Sequence, residues 1–148
     1  MTHGGRRRLL LVVLSATALG LPLAAGAQGP EQTRTFDASR DRVWTVARST
    51  LESLGWKVDR EERDEGWIVT RSREIEFDEK LAYGKGTKHR LWLTLKEPEP
   101  NRTRVGIVRR VWKEERILFG VLVDKEQNVD VIDTSVEKGV LDAIARAL

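Results

Sequence analysis

From His89 to Lys96 the chain alternates without interruption. His89, Leu91, Leu93 and Leu95 fall on one side of an extended strand, and Arg90, Trp92, Thr94 and Lys96 on the other. Three leucines on one side of a strand require an apolar cover, and covers for sheet faces are built from amphipathic helices or a second sheet. Two segments are suited to that task. Behind Asp37 and Ser39, residues able to cap a helix N-terminus, the positions Val43, Val46, Ala47, Thr50, Leu51 and Leu54 recur at helical intervals until Gly55, a residue fitted to the left-handed C′ position. At the other end Val136, Val140, Leu141, Ile144 and Leu148 line one face of a second helix. There Thr134 and Glu137 have the spacing of a capping box.

The segments between these helices read as antiparallel strands. Thr33 to Phe36 is a short strand candidate. Trp56–Arg60 and Trp67–Arg71 form a hairpin across the charged turn from Glu61 to Gly66. The leucine strand ends at Pro98, Pro100 and Asn101, and a further strand from about Arg102 to Lys113 folds back upon it. Tyr83 to Gly86 reads as a loop, and Ile117 to Val123 as a short strand or a core-covering loop. The expected fold class is α+β: an antiparallel sheet of about four to five strands with both helices packed on one face, in the order strand, helix, strands, helix.

Ahead of this domain lies a leader. Arg6-Arg7-Arg8 precedes an apolar run from Leu9 to Ala25, and Ala25-Gly26-Ala27 supplies small residues for cleavage. The order is that of a secretory signal peptide, so residues 1–27 are expected to be removed. A retained anchor is the alternative, but spans need about 20 continuous apolar residues and this run is shorter. Residues 28–32, with Gly29 and Pro30, are expected to be a disordered lead-in, and 33–148 a single domain. The location implied is periplasmic or secreted, without stable membrane insertion after cleavage.

Cleavage also changes the charge balance. The 26 Lys and Arg include the three leader arginines, which leaves 23 basic against 23 acidic residues. A chain with no net charge lacks the basic excess that nucleic acid binding requires. There is no cysteine. That excludes a thiol nucleophile, a thiolate metal site and a lipidated N-terminal cysteine, and it leaves stability to burial alone.

No catalytic constellation is expected. His89, the only histidine beyond the leader, shares its face with leucines and reads as a partly buried structural residue. No serine stands in a Gly-x-Ser-x-Gly elbow. The acidic clusters Glu61, Glu62, Asp64, Glu65 and Glu74, Glu76, Asp78, Glu79 lack the ligand spacing and sharp turn of a calcium loop, so no metal and no cofactor is expected. Asn101-Arg102-Thr103 matches a glycosylation sequon by chance in what reads as a bacterial precursor.

The tryptophans carry the functional expectation. Trp44 and Trp56 belong with the first helix and its exit, whereas alternation turns Trp92 away from the leucines, together with Arg90. Trp67 and Trp112 are expected to join that outer face. Exposed aromatic residues beside arginine are typical of binding hot spots, and cross-strand packing over the outer face is the competing reading.

Phe36-Asp37-Ala38, Val43-Trp44, the Leu-x-x-Leu-Gly-Trp of Leu51 to Trp56, Asp64 to Thr70, and Leu141-Asp142-Ala143-Ile144 together resemble the repeat unit of the BamC (NlpB)-like outer-membrane assembly lipoproteins. The resemblance covers roughly Thr33 to Leu148. It implies a helix-grip arrangement, a non-enzymatic role and an envelope location, with envelope proteins as partners. The chain departs from the family in having no cysteine to acylate and room for only one domain. The function expected first is a protein-interaction module in outer-membrane assembly or maintenance. The alternative is a periplasmic carrier holding a small apolar ligand or lipid between helix and sheet, which requires an apolar cavity of at least about 300 Å³.

Overall fold

The computed structural model describes residues 29–75, 86–115, 125–131 and 133–148. Residues 1–28, where the leader is expected, most of the expected loop at 83–86, the segment 117–123 and most of the second acidic cluster lie outside the described residues. The elements run β1 Gln32–Phe36, α1 Arg40–Ser53, β2 Val58–Glu62, β3 Trp67–Thr70, β4 Arg73–Glu74, β5 Thr87–Glu99, β6 Arg102–Glu115, β7 Lys125–Val129 and α2 Ser135–Ala147. The class is α+β, and every strand pairing is antiparallel.

The spine of the sheet is the hairpin of β5 and β6, 13 and 14 residues long. One edge of β6 carries β1 along Thr103–Ile107 and β7 along Val111–Glu115. The free edge of β5 likewise carries β3 opposite Trp92–Thr94 and β4 opposite Lys88–His89, and β2 closes that side against β3. Among the described residues the sheet has seven strands rather than four to five. The two additions are the ones without legible alternation: β4 has only two residues, and β7, Lys-Glu-Gln-Asn-Val, presents one apolar residue.

Residues 29–32 are tied down where a disordered lead-in was expected. The Gly29 N–H donates to the Arg109 carbonyl at 2.9 Å, between the stretches of β6 taken by β1 and β7, and Gln32 already pairs with Ile107. Gly29 packs so closely on Val131 that a Cβ would lie 2.7 Å from its Cγ2.

Both helices cover the same face. Leu91, Leu93 and Leu95 of β5, Val105 and Ile107 of β6 and Ile68 of β3 share one buried core with Val43, Trp44, Ala47 and Leu51 of α1 and Val140, Leu141 and Ile144 of α2. Burying these side chains contributes about 1.5–3 kcal/mol for each large aliphatic or aromatic one. Exposed ion pairs span the rim: Arg34 of β1 meets Asp142 of α2 at 2.8 Å, and Arg63 of the β2–β3 turn meets Asp41 of α1 at 3.1 Å.

Local signals set the ends of α1. Ser39 is the N-cap and accepts from the Arg42 N–H. At the other end Gly55, at φ 78°, donates to the Glu52 carbonyl while Trp56 donates to that of Leu51, the two bonds of a Schellman motif. Trp56 is therefore buried behind the helix exit rather than at the start of a strand, and β2 begins at Val58.

The start of α2 departs from expectation. Thr134 makes no side-chain capping bond; Asp133 accepts from both the N–H and the hydroxyl of Ser135 instead. Glu137 turns inward, its side chain fully buried 3.5 Å from the equally buried guanidinium of Arg109. A carboxylate three residues into a helix normally reaches back to the cap, but the opposite charge beneath the helix is the stronger partner in a low-dielectric core.

Candidate functional site

The register assigns the helix-free face residue by residue. Trp67 stands opposite Thr94, Val69 opposite Trp92, and Trp92 opposite Val108, so these side chains share one face, and Arg90 and Lys96 extend it along β5. On β6 the same face carries Arg104, Gly106, Arg110 and Trp112.

Trp67 and Trp92 come together. Their ring centroids are 5.8 Å apart with planes at 37°, within the range of favourable aromatic pairs. Trp67 is fixed from its other side, its indole N–H donating to the Glu65 carboxylate at 2.7 Å. Trp92 is 39% exposed, an unusual state for so large an apolar ring in the middle of a sheet.

Trp112 does not join them. It lies four residues beyond Val108, opposite Lys88, and is only 1% exposed. Arg90 and Arg110, directly opposite each other, bring their guanidinium carbons to 5.0 and 5.3 Å from its ring. The outer face is thus divided: an open aromatic end at Trp67 and Trp92, and a closed end where cations stack over Trp112. Arg90 belongs to both, sharing its edge with Trp92 and its charge with Trp112. Alternation identifies the face a residue occupies and carries no information on what covers that face, which is why Trp112 reads from sequence as exposed.

His89 lies on the helix side and is 1% exposed, more buried than its place near a strand end suggests. Its Nε2 accepts from Arg73 Nε at 3.3 Å, its ring sits 4.8 Å from that of Trp56, and Arg73 lies 3.6 Å over the same indole. Burial, then the Arg73 and Arg109 charges, lower its pKa to about 3. His89 is a neutral acceptor at ordinary pH, locked into packing.

Sequence reasoning missed Arg109 and Glu137. The signal for Arg109 is in the alternation of β6, where Thr103, Val105, Ile107 and Val111 mark the inward register and Arg109 falls within it. No comparable signal marks Glu137, whose spacing from Thr134 points to a cap.

Two surface clefts flank the core. One, of about 490 Å³, lies along α1 and β2 and is lined by Trp44, Arg48, Glu52, Glu61 and Arg63 among others, with Arg48 3.4 Å from Glu61 across it. The second, about 350 Å³, surrounds the helix exit between Trp56, Lys57 and Arg71 to Arg73. Both linings are mainly charged or polar. Among the described residues no group of three or more His, Asp or Glu is placed to hold a metal ion, and no helix is long and apolar enough to cross a membrane. Comparison of the chain with protein-family models and with curated proteins finds no match in either.

Proposed function

We propose that this chain is an exported, non-enzymatic protein of the cell envelope that works by protein contact through the open end of its sheet, in outer-membrane assembly or maintenance. The resemblance to BamC-like domains suggests the setting and the helix-grip description of the fold. The observation that carries the reading is the exposed Trp92 ring packed at a tilt against Trp67, on the face that neither helix covers. A rigid aromatic pair held by a hydrogen bond presents apolar area at little cost in conformational entropy, which is the property that makes tryptophan an interface anchor. A carrier of apolar ligands has less support, since the clefts beside α1 are bordered by Arg48, Glu61, Lys57 and Arg71.

The test is photocrosslinking in intact cells. A benzophenone side chain at position 92 is expected to capture a discrete envelope protein. The same group at position 54 is not, although Leu54 is equally exposed at 42% on the helix side. Equal capture from both positions, or none from 92, overturns the proposal.

A further inference from the structure

The open end of the face carries cations whose placement is costly. Lys96 and Arg104 are directly opposite each other across β5 and β6, and both are exposed. Like charges in that position destabilise a sheet, and among the described residues neither has a carboxylate at ion-pair distance. Two residues further along lie Thr94 and Gly106, and then Trp92.

Gly106 makes a depression in this surface, and a carboxylate lies over it. A Cβ at position 106 would overlap Glu31 Oε1 and lie 2.8 Å from Thr94 Oγ1. Glu31 comes from the segment just before β1 and is itself exposed. The chain therefore places one of its own carboxylates on the face, between the Lys96–Arg104 pair and the tryptophan.

We infer that the Trp92 face binds an extended acidic segment of a partner protein, a carboxylate settling over Gly106 beside Lys96 and Arg104 and an apolar neighbour packing on Trp92, with Glu31 as the intramolecular occupant that the partner displaces. The inference rests on the proposal that this face is an interaction surface, and it specifies the chemistry. Opposed cations with no carboxylate at ion-pair distance among the described residues gain from an incoming anion, and the position of Glu31 over Gly106 shows that a carboxylate fits there. Beyond the leader the chain has no net charge, so an anionic membrane exerts little long-range attraction and recognition depends on local fit.

The test uses the exported form of the chain, beginning at Gln28, and a fluorescein-labelled peptide of alternating glutamate and leucine, with alternating lysine and leucine as control and phosphatidylglycerol-containing vesicles as a separate arm. The acidic peptide is expected to bind and the basic one not. K96E/R104E should weaken binding about tenfold or more, since close charge pairs at interfaces couple by at least about 1.4 kcal/mol. K96Q/R104Q should give a smaller loss in the same direction, with melting temperature unchanged in K96E/R104E, which keeps a like-charge pair, and raised slightly in K96Q/R104Q, which relieves it. E31Q should tighten binding several-fold by removing the competitor, and Gly106→Ala should weaken it. Equal affinity for both peptides, indifference to K96E/R104E, or binding of vesicles without peptide each overturns the inference. Crosslinks from position 92 that persist undiminished in K96E/R104E cells overturn the acidic chemistry alone. Their absence from the unaltered face removes the interaction surface as well.

Discussion

Arg109 of β6 and Glu137 of α2 face each other at 3.5 Å with both side chains fully withdrawn from solvent, and Arg109 also donates to the Asp133 carbonyl at 2.7 Å. This is a charged clamp between sheet and helix at the margin of an otherwise apolar core. Pairs of this kind add little net stability over a hydrophobic pair of similar volume, yet each partner is indispensable once the other is present.

Removing one partner should therefore be far worse than removing both. Glu137→Ala is expected to cost about 3–5 kcal/mol, because it strips the buried guanidinium of its buried counter-charge and leaves it the more distant Asp133 carboxylate at 3.9 Å, whereas Arg109→Met combined with Glu137→Leu should recover most of that loss. Denaturant unfolding of Glu137→Leu, Arg109→Met and their combination, beside Glu137→Ala, measures the difference. A double variant as unstable as the worse single one would show that the ion pair is not the source of the effect.

His89 gives the fold an acid sensitivity. Its folded pKa, about 3, lies below the ordinary histidine value of 6.5, so between those values the unfolded chain binds a proton that the folded chain refuses. Stability present above pH 6.5 is lost as pH falls toward 3, by up to about 1.4 kcal/mol per unit from this group. The charged groups acting on it are Arg73 from β4 and Arg109 from β6, and both oppose protonation. In His89→Gln, melting temperature between pH 6.5 and 4.5 should fall less steeply than in the parent. Parallel slopes would count against the histidine.

Asp133, not Thr134, should control the start of α2. Asp133→Ala is expected to destabilise by about 0.5–2 kcal/mol, the usual range for losing a cap, and Thr134→Ala by much less. The hydrogen bonds from the Ser135 hydroxyl and N–H, aided by Arg109, hold the Asp133 pKa below its ordinary value. Its contribution is accordingly complete above the unfolded carboxylate pKa and disappears as acid protonates the folded group. Thermal melts of the two alanine variants at neutral pH, and of the parent against Asp133→Ala in acid, separate these statements.

Two glycines with the same backbone should respond differently to a methyl group. Gly55 and Gly66 have φ of 78° and 75°, but a Cβ at 55 meets only Arg73 Nη1 at 3.5 Å, whereas at 66 it would overlap the Leu95 carbonyl. The Gly66 carbonyl also accepts from the Leu95 N–H at 2.7 Å, which seats the β2–β3 turn on β5. Gly55→Ala should cost about 1 kcal/mol and Gly66→Ala more than about 2 kcal/mol, since strain and steric conflict add at the second site. Equal costs would place the whole effect in the backbone.

What could be read from the sequence followed strict periodicity. The alternation through Leu91, Leu93 and Leu95 and the helical spacing of Val43, Ala47 and Leu51 state which sides are apolar, and the core joins those very residues. Gly55 announced the end of α1 because few other residues adopt its conformation. The short strands β4 and β7 escaped because pairing, not composition, makes them strands. Trp112 lies on the outer face as expected but is covered there, and Glu137 leaves its expected cap, for one shared reason: a sequence gives the direction of a side chain more readily than the identity of what it meets there. Arg90 and Arg110 over the indole, and Arg109 under the carboxylate, come from strands brought alongside only by folding.

The pairing of β1 with β6 sets the timetable of assembly. Gln32 to Phe36 are made early, yet their partners are Thr103 to Ile107, and the second helix of the lid is made later still. The β5–β6 hairpin needs only neighbouring residues and can form first, whereas the first strand must wait without its strand partner until some seventy further residues have been made, a separation that slows folding. A chaperone that shelters the opening segment during that interval would act at the moment when this protein is most vulnerable to joining its strands to the wrong neighbour.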